Sequence, residues 1–150
     1  AEYGSAKRWP VKQFREVIEQ TSSRLACRWI ILGTSADAEL ARTLSAGFPN
    51  VDDLTGKTTL EELVTTLCGL SALLTNDTGT MHLADFLGVP LVSIFGSTEP
   101  ALTGPRGPGS RVIRHHVECS PCFLRECPID FRCMHQIPPS KVTEALEALL

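Results

Sequence analysis

The sequence predicts an α/β fold, a parallel sheet covered by helices on both faces, and three observations predict it. The runs Arg28-Trp29-Ile30-Ile31-Leu32-Gly33, Ser71-Ala72-Leu73-Leu74-Thr75 and Leu91-Val92-Ser93-Ile94-Phe95 do not alternate apolar and polar residues, as expected of strands buried on both faces. Between them lie segments with apolar residues at helical spacing. The composition, 43% hydrophobic and 21% charged over 150 residues, is that of one soluble domain able to bury its own core. Right-handed crossovers then give a doubly wound, Rossmann-like parallel sheet, in which ligands bind beyond the carboxyl ends of the strands.

Each element has a local justification. Pro10 opens a helix with Phe14, Val17 and Ile18 on one face. After the first strand, Ser35 reads as the N-cap of a helix carrying Leu40, Ala41 and Leu44, which Gly47-Phe48-Pro49-Asn50 breaks. Thr59 and Glu62 form a capping-box pair ahead of Leu60, Leu63, Val64 and Leu67. The second strand ends in the turn Asn76-Asp77-Thr78-Gly79-Thr80, which leads into a short helix through Met81, Leu83, Ala84 and Phe86, closed by Gly88. The third strand gives way to a Gly/Pro-rich loop over 96–109 and then a short edge strand, Arg111-Val112-Ile113-Arg114. A cysteine segment spans 119–133, and Pro138-Pro139-Ser140 opens a last helix with Val142, Ala145, Leu146 and Leu149 on one face.

Several classes are disfavoured. A net charge of −3 offers no basic excess to neutralise nucleic-acid phosphates. No apolar run approaches the ~20 residues of a membrane-spanning helix, and the opening residues lack the charged and apolar regions of a signal peptide. A start on Ala1 rather than Met reads as a piece of something longer.

Chemistry is expected in the loops after Leu32, Thr75 and Phe95. The strongest candidate is Asn76-Asp77-Thr78-Gly79-Thr80-Met81-His82, where a strand ends and a helix begins with unpaired N–H groups, a natural phosphate cradle. Gly79 lets a ligand approach the backbone, Asp77 can accept hydrogen bonds from sugar hydroxyls, and His82 sits in the first helical turn. The same residues also fit a plain capped turn with Asp77 as N-cap and His82 half-buried. Gly33-Thr34-Ser35 can line an adenosine or ribose site, and Ser97-Thr98-Glu99-Pro100 either contacts ligand or forms a capped turn. Gly56-Lys57-Thr58-Thr59 ends like a P-loop, but Val51 stands where its first Gly is required. Cys119, Cys122, Cys127 and Cys133, spaced C-x2-C-x4-C-x5-C, fit a tetrahedral Zn or Fe site, reduced packed thiols or disulfides. Cys27 and Cys68 read as core residues, Trp9 and Trp29 as packing residues, and Lys7-Arg8 as either a ligand contact or a solvated basic pair.

Three blocks, in order, carry a resemblance. Leu74 to Ala84 with Gly88 to Pro100, the opening Ala1 to Pro10, and Cys119-Ser120-Pro121-Cys122 with Cys127 and Cys133-Met134 together resemble the ADP-heptose:lipopolysaccharide heptosyltransferases of glycosyltransferase family 9. The resemblance covers essentially the whole chain. It implies the C-terminal half of a GT-B enzyme, two Rossmann-like domains facing across a cleft. One domain holds the ADP-heptose donor; the other, not in this chain, binds a lipid A/Kdo or core-oligosaccharide acceptor and supplies an Asp base. It implies that Asp77, Thr78, Gly79 and His82 contact sugar and diphosphate, that Lys7 reaches the same groups, and that Thr58 and Leu60 border the adenine; Thr34 and Thr98 are the further candidate donor contacts, from the loop readings above. It implies no required cofactor and a cytoplasmic enzyme, with peripheral contact at the inner face of the inner membrane left open. The readings kept beside it are a GT-B donor domain for another nucleotide sugar and a metal-binding interaction module built on the cysteine segment.

Overall fold

The structure is a computed structural model and describes residues 4–150; Ala1, Glu2 and Tyr3, which open the first of the three blocks, lie outside the described residues. Five strands alternate with helices, and every strand pair is parallel, as the non-alternating apolar runs predict. In chain order these are α1 (Val11–Arg24), β1 (Trp29–Ile31), α2 (Ala38–Ser45), β2 (Val51–Asp53), α3 (Leu60–Cys68), β3 (Leu73–Asn76), α4 (Gly79–Phe86), β4 (Leu91–Phe95), α5 (Pro100–Thr103), β5 (Ser110–Arg114), α6 (Arg132–His135) and α7 (Pro139–Glu147).

The strands form two hydrogen-bonded sets, β1-β2 and β3-β4-β5, rather than one continuous sheet. Strand β4 is central to the larger set and buried along its length. Its side chains alternate between two cores. Val92 and Ile94 pack with Val17, Met134, Ile137, Val142 and Leu146 on the side of α1, α6 and α7. Leu91 and Phe95 pack with Leu67, Met81 and Ala84 on the side of α3 and α4. Helices on both faces of a parallel sheet thus arise from a strand with no polar face to offer water.

Cap chemistry sets the helix boundaries. The Thr59–Glu62 capping box forms as expected: the Glu62 carboxylate accepts the Thr59 N–H at 2.8 Å, and Thr59 Oγ1 accepts the Glu62 N–H at 3.2 Å. Thr34, not Ser35, is the N-cap ahead of α2. It opens a 3-10 turn over Ser35–Asp37, and α2 follows from Ala38. Arg15 of α1 reaches the other end of α2, donating to the carbonyls of Thr43 at 2.6 Å and Leu44 at 3.1 Å, and so satisfies its last turn. Of the two cysteines expected in the core, Cys27 is half-buried, while Cys68 is exposed because it ends α3 on the outward side. Trp9 is buried edge-on against Phe14, ring centroids 4.9 Å apart, so it packs as expected.

Candidate functional site

The C-terminal ends of β1 and β3 open onto a cleft of about 1060 Å³. One bank is formed by the β1 and β2 loops, including Thr34, Asp37, Gly56 and Thr58. The other is formed by the entry segment, the end of β3 and the start of α4, including Lys7, Asp77, Thr78, Gly79 and His82. The expected donor contacts therefore come together, with one exception: Thr98 is 3% exposed and does not line the cleft.

Thr98 has a different place. Its Oγ1 donates to Asp77 Oδ2 at 2.7 Å, and Lys7 Nζ sits 2.6 Å from the same oxygen. Asp77 is 4% exposed and the Lys7 side chain 11%, so both charges are largely withdrawn from water and depend on one another. The entry segment is fixed beside them by a hydrogen bond from the Trp9 N–H to Asn76 Oδ1 at 3.1 Å. Asn76, which the sequence offered only as part of a turn, thus anchors the segment that carries Lys7.

Thr78, not Asp77, is the N-cap of α4: its Oγ1 accepts the Met81 N–H at 3.4 Å. That leaves the Asp77 carboxylate to the ion pair, and α4 begins at the cleft, which Thr78, Gly79 and Thr80 line. A Cβ built on Gly79 would meet nothing within 4 Å, so the glycine leaves open space at the helix start. His82 is exposed on the same rim rather than half-buried.

On the opposite bank, Thr34 is committed to Asp37, whose Oδ2 accepts its N–H at 3.1 Å and its hydroxyl at 2.8 Å. Burial pushes the Asp37 carboxyl pKa up, but these two hydrogen bonds outweigh it and hold the group below its ordinary value. Asp37 is the cleft carboxylate that the sequence reading missed. Gly56 has φ 69° and lies against Ser35, 2.9 Å from its Cα to where a Cβ would stand, while its N–H donates to the Gly33 carbonyl at 2.9 Å. A side chain at 56 would part the two loops that make this bank.

The cysteine segment lies where the sequence did not place it. Following the edge strand and preceding the last helix, it reads in the sequence as lying away from the strand ends; it docks instead directly on the end of β4. Ser120 Oγ donates to the Gly96 carbonyl at 2.6 Å, and the Phe123 N–H donates to the Ser97 carbonyl at 2.7 Å. Phe131 from this segment and His135, at the end of α6, line the cleft. Ser97-Thr98-Glu99-Pro100 resolves as a capped turn, Glu99 Oε1 accepting the Ala101 N–H at 3.2 Å at the start of α5.

Among the described residues, no group of three or more His, Cys, Asp or Glu side chains is placed to hold a metal, so the tetrahedral site, one of the three readings of Cys119, Cys122, Cys127 and Cys133, is not formed in this structure. Their environments differ instead. Cys133 is buried beside Gly96, and burial pushes its thiol pKa up. Cys127 is half-buried; burial acts in the same direction, but N–H groups of Ile129, Phe131 and Asp130 turned towards its sulfur lower the pKa overall. No helix among the described residues is long and apolar enough to cross a membrane.

Comparison with known proteins gives a consistent picture. Residues 1–131 match the family model for glycosyltransferase family 9 (heptosyltransferase). Lipooligosaccharide heptosyltransferase 2 of Campylobacter jejuni is 32% identical over 157 residues, covering 100% of this chain and 49% of the relative. The structure of Escherichia coli ADP-heptose lps heptosyltransferase II superposes with a TM-score of 0.86 at 30% identity, covering 99% of this chain and 44% of that one. An E. coli heptosyltransferase, WaaC, solved with ADP-2-deoxy-2-fluoro heptose superposes at 0.73 with 25% identity, covering 97% of this chain and 40% of that one. The chain therefore spans about half the length of the relatives it matches.

Proposed function

The chain belongs to glycosyltransferase family 9, and from that premise we propose that it is the donor-binding half of a heptosyltransferase that takes ADP-heptose. The observation that carries this reading is the pairing, on one cleft bank, of the Lys7 ammonium with the open start of α4 at Gly79. A helix N-terminus and a lysine together suit a diphosphate. The opposite bank, with Asp37, Thr34 and Thr58, suits ribose and adenine. An acceptor hydroxyl, on a lipid A/Kdo or core-oligosaccharide substrate, attacks the anomeric carbon of the heptose. The bond from that carbon to the β-phosphate oxygen breaks, ADP leaves, and the hydroxyl proton passes to a base outside this chain. Lys7 and the N–H groups near Thr78 and Gly79 stabilise the charge that develops on the departing diphosphate. Asp77 and His82 stand where the sugar would lie.

The work is done in the cytoplasm on this reading, at the inner face of the inner membrane where a lipid-linked acceptor is reached. No cofactor is needed for it. A Zn or Fe ion held by the four cysteines would require the segment to close around it, and no step of the transfer runs through such an ion.

Calorimetric titration of ADP, UDP and GDP into the chain tests the proposal. ADP is expected to bind at least ~10-fold more tightly than either alternative, a difference of about 1.4 kcal/mol, and the chain alone is expected to transfer no sugar. Tighter binding of UDP or GDP would move the chain to another nucleotide sugar. Binding of none of the three would remove the donor reading, and turnover by the chain alone would place the base within it.

A further inference from the structure

The cysteine segment touches both partners of Asp77 through their immediate neighbours. On one side, Ser120 Oγ holds the Gly96 carbonyl at 2.6 Å in a buried contact, and the Phe123 N–H holds the Ser97 carbonyl at 2.7 Å. These carbonyls directly precede Thr98, whose hydroxyl meets Asp77. On the other side, the Ala6 N–H donates to the Arg125 carbonyl at 3.0 Å, one residue before Lys7. Gly4 lies against that same Arg125 carbonyl with φ 133°, so the entry segment passes too close to it for a side chain there. Gly96 is equally confined: a Cβ would come within 2.6 Å of Met134 Sδ and 3.0 Å of Cys133 Sγ.

We propose that this segment is a positioning clamp for the donor site, with Ser120 as its principal positioning residue: it fixes the Thr98 loop and the Lys7 segment relative to each other and so sets the geometry of the Lys7–Asp77 pair, and with it the place of the ammonium that receives the diphosphate. The inference rests on the donor-binding reading above. Its physical basis is that Lys7 and Thr98 lie 91 positions apart in sequence and converge on one carboxylate oxygen. A lysine has four rotatable side-chain bonds, so without a fixed backbone its ammonium would not be held in one place. The neighbouring backbone on both sides is tied to the same short stretch, 120–125. Side-chain contact with the ligand is not what Ser120 supplies, since its hydroxyl is buried against Gly96.

The test is a double-mutant cycle on ADP affinity with the folded chain. Ser120→Ala is expected to weaken ADP binding roughly tenfold, and Ser120→Thr, which keeps the hydroxyl, to restore most of that loss. On a Lys7→Met background the Ser120→Ala loss is expected to shrink to near onefold, because the clamp acts through Lys7. A general loss of stability would instead carry over unchanged to that background, and that result overturns the proposal, as does wild-type affinity in Ser120→Ala. Hydrogen exchange on the unmodified chain supplies a second measurement if Ser120→Ala fails to fold: ADP saturation is expected to slow exchange at the Phe123 and Ala6 amides. Unchanged rates at both overturn the clamp. Failure of ADP to bind the unmodified chain at all would count against the donor reading itself, and is thereby distinguished from failure of the clamp.

Discussion

Asp77 links a buried polar cluster to the cleft. Its Oδ2 takes the Lys7 ammonium and the Thr98 hydroxyl, and it still lines the cleft. Removing it breaks a largely buried ion pair with Lys7, which destabilises the fold by roughly 3 kcal/mol. The same change takes away the carboxylate that holds the Lys7 ammonium in one place. Asp77→Ala is therefore expected to lower stability in urea unfolding and to weaken ADP binding as well. Affinity for ADP-heptose should fall further than for ADP, by about 1.5–3 kcal/mol, the cost of losing hydrogen bonds from sugar hydroxyls to a charged group. Calorimetry with both ligands reads the difference. Equal losses for the two would remove the sugar contact and leave Asp77 as the holder of Lys7 alone.

Helix α4 opens on the cleft at one end and is tied into the fold at the other. At its start, Gly79 needs no special backbone conformation, for it has no positive φ, and a Cβ there would meet open space. Gly79→Val is accordingly expected to change stability by less than about 1 kcal/mol while weakening ADP binding at least ~10-fold by filling the approach to the N–H groups. A variant that binds ADP normally would show that the phosphates lie elsewhere. Towards its other end, Asp85 accepts the Ser110 hydroxyl at 2.6 Å and the N–H groups of Arg106 at 2.7 Å and Gly107 at 2.9 Å, tying α4 to the loop before β5. Burial acts to raise its pKa, but these donors outweigh it and the folded value is lowered. A depressed folded pKa means stabilisation that is present above the unfolded value, about 3.9, and is lost as pH falls through the folded one. Asp85→Asn is expected to cost about 1–2 kcal/mol at pH 7, and the gap to the unmodified chain should narrow in acid below about pH 4. Denaturant unfolding at both pH values checks this; a gap that stays constant would rule out the carboxylate charge as its source.

Across the whole molecule, what the sequence made legible is what depends on neighbours in the chain. Strand β4 is apolar throughout because both faces are covered, and the Thr59–Glu62 box announces α3 within four residues. The strand-to-helix turn at 76–82 was visible because a strand end, a glycine and a helix start are contiguous. Strand β2 was missed because three residues, two of them Asp52 and Asp53, carry no apolar run, and its pairing with β1 is what makes it a strand. The four-residue helices α5 and α6 are too short to show a period. Thr98 and the cysteine segment were misplaced for a related reason: their contacts are to carbonyls and a carboxylate far away in sequence, which leave no spacing to read. The division of the strands into two sets has a consequence of its own. With no hydrogen-bonded seam between β1 and β3, the two banks of the cleft are carried on separate sets of strands. On the donor reading proposed above, adenosine or a phosphate alone would grip a single bank, whereas the joined molecule would bring its second half in at high local concentration, and affinity would reside in the span of the ligand rather than in either end.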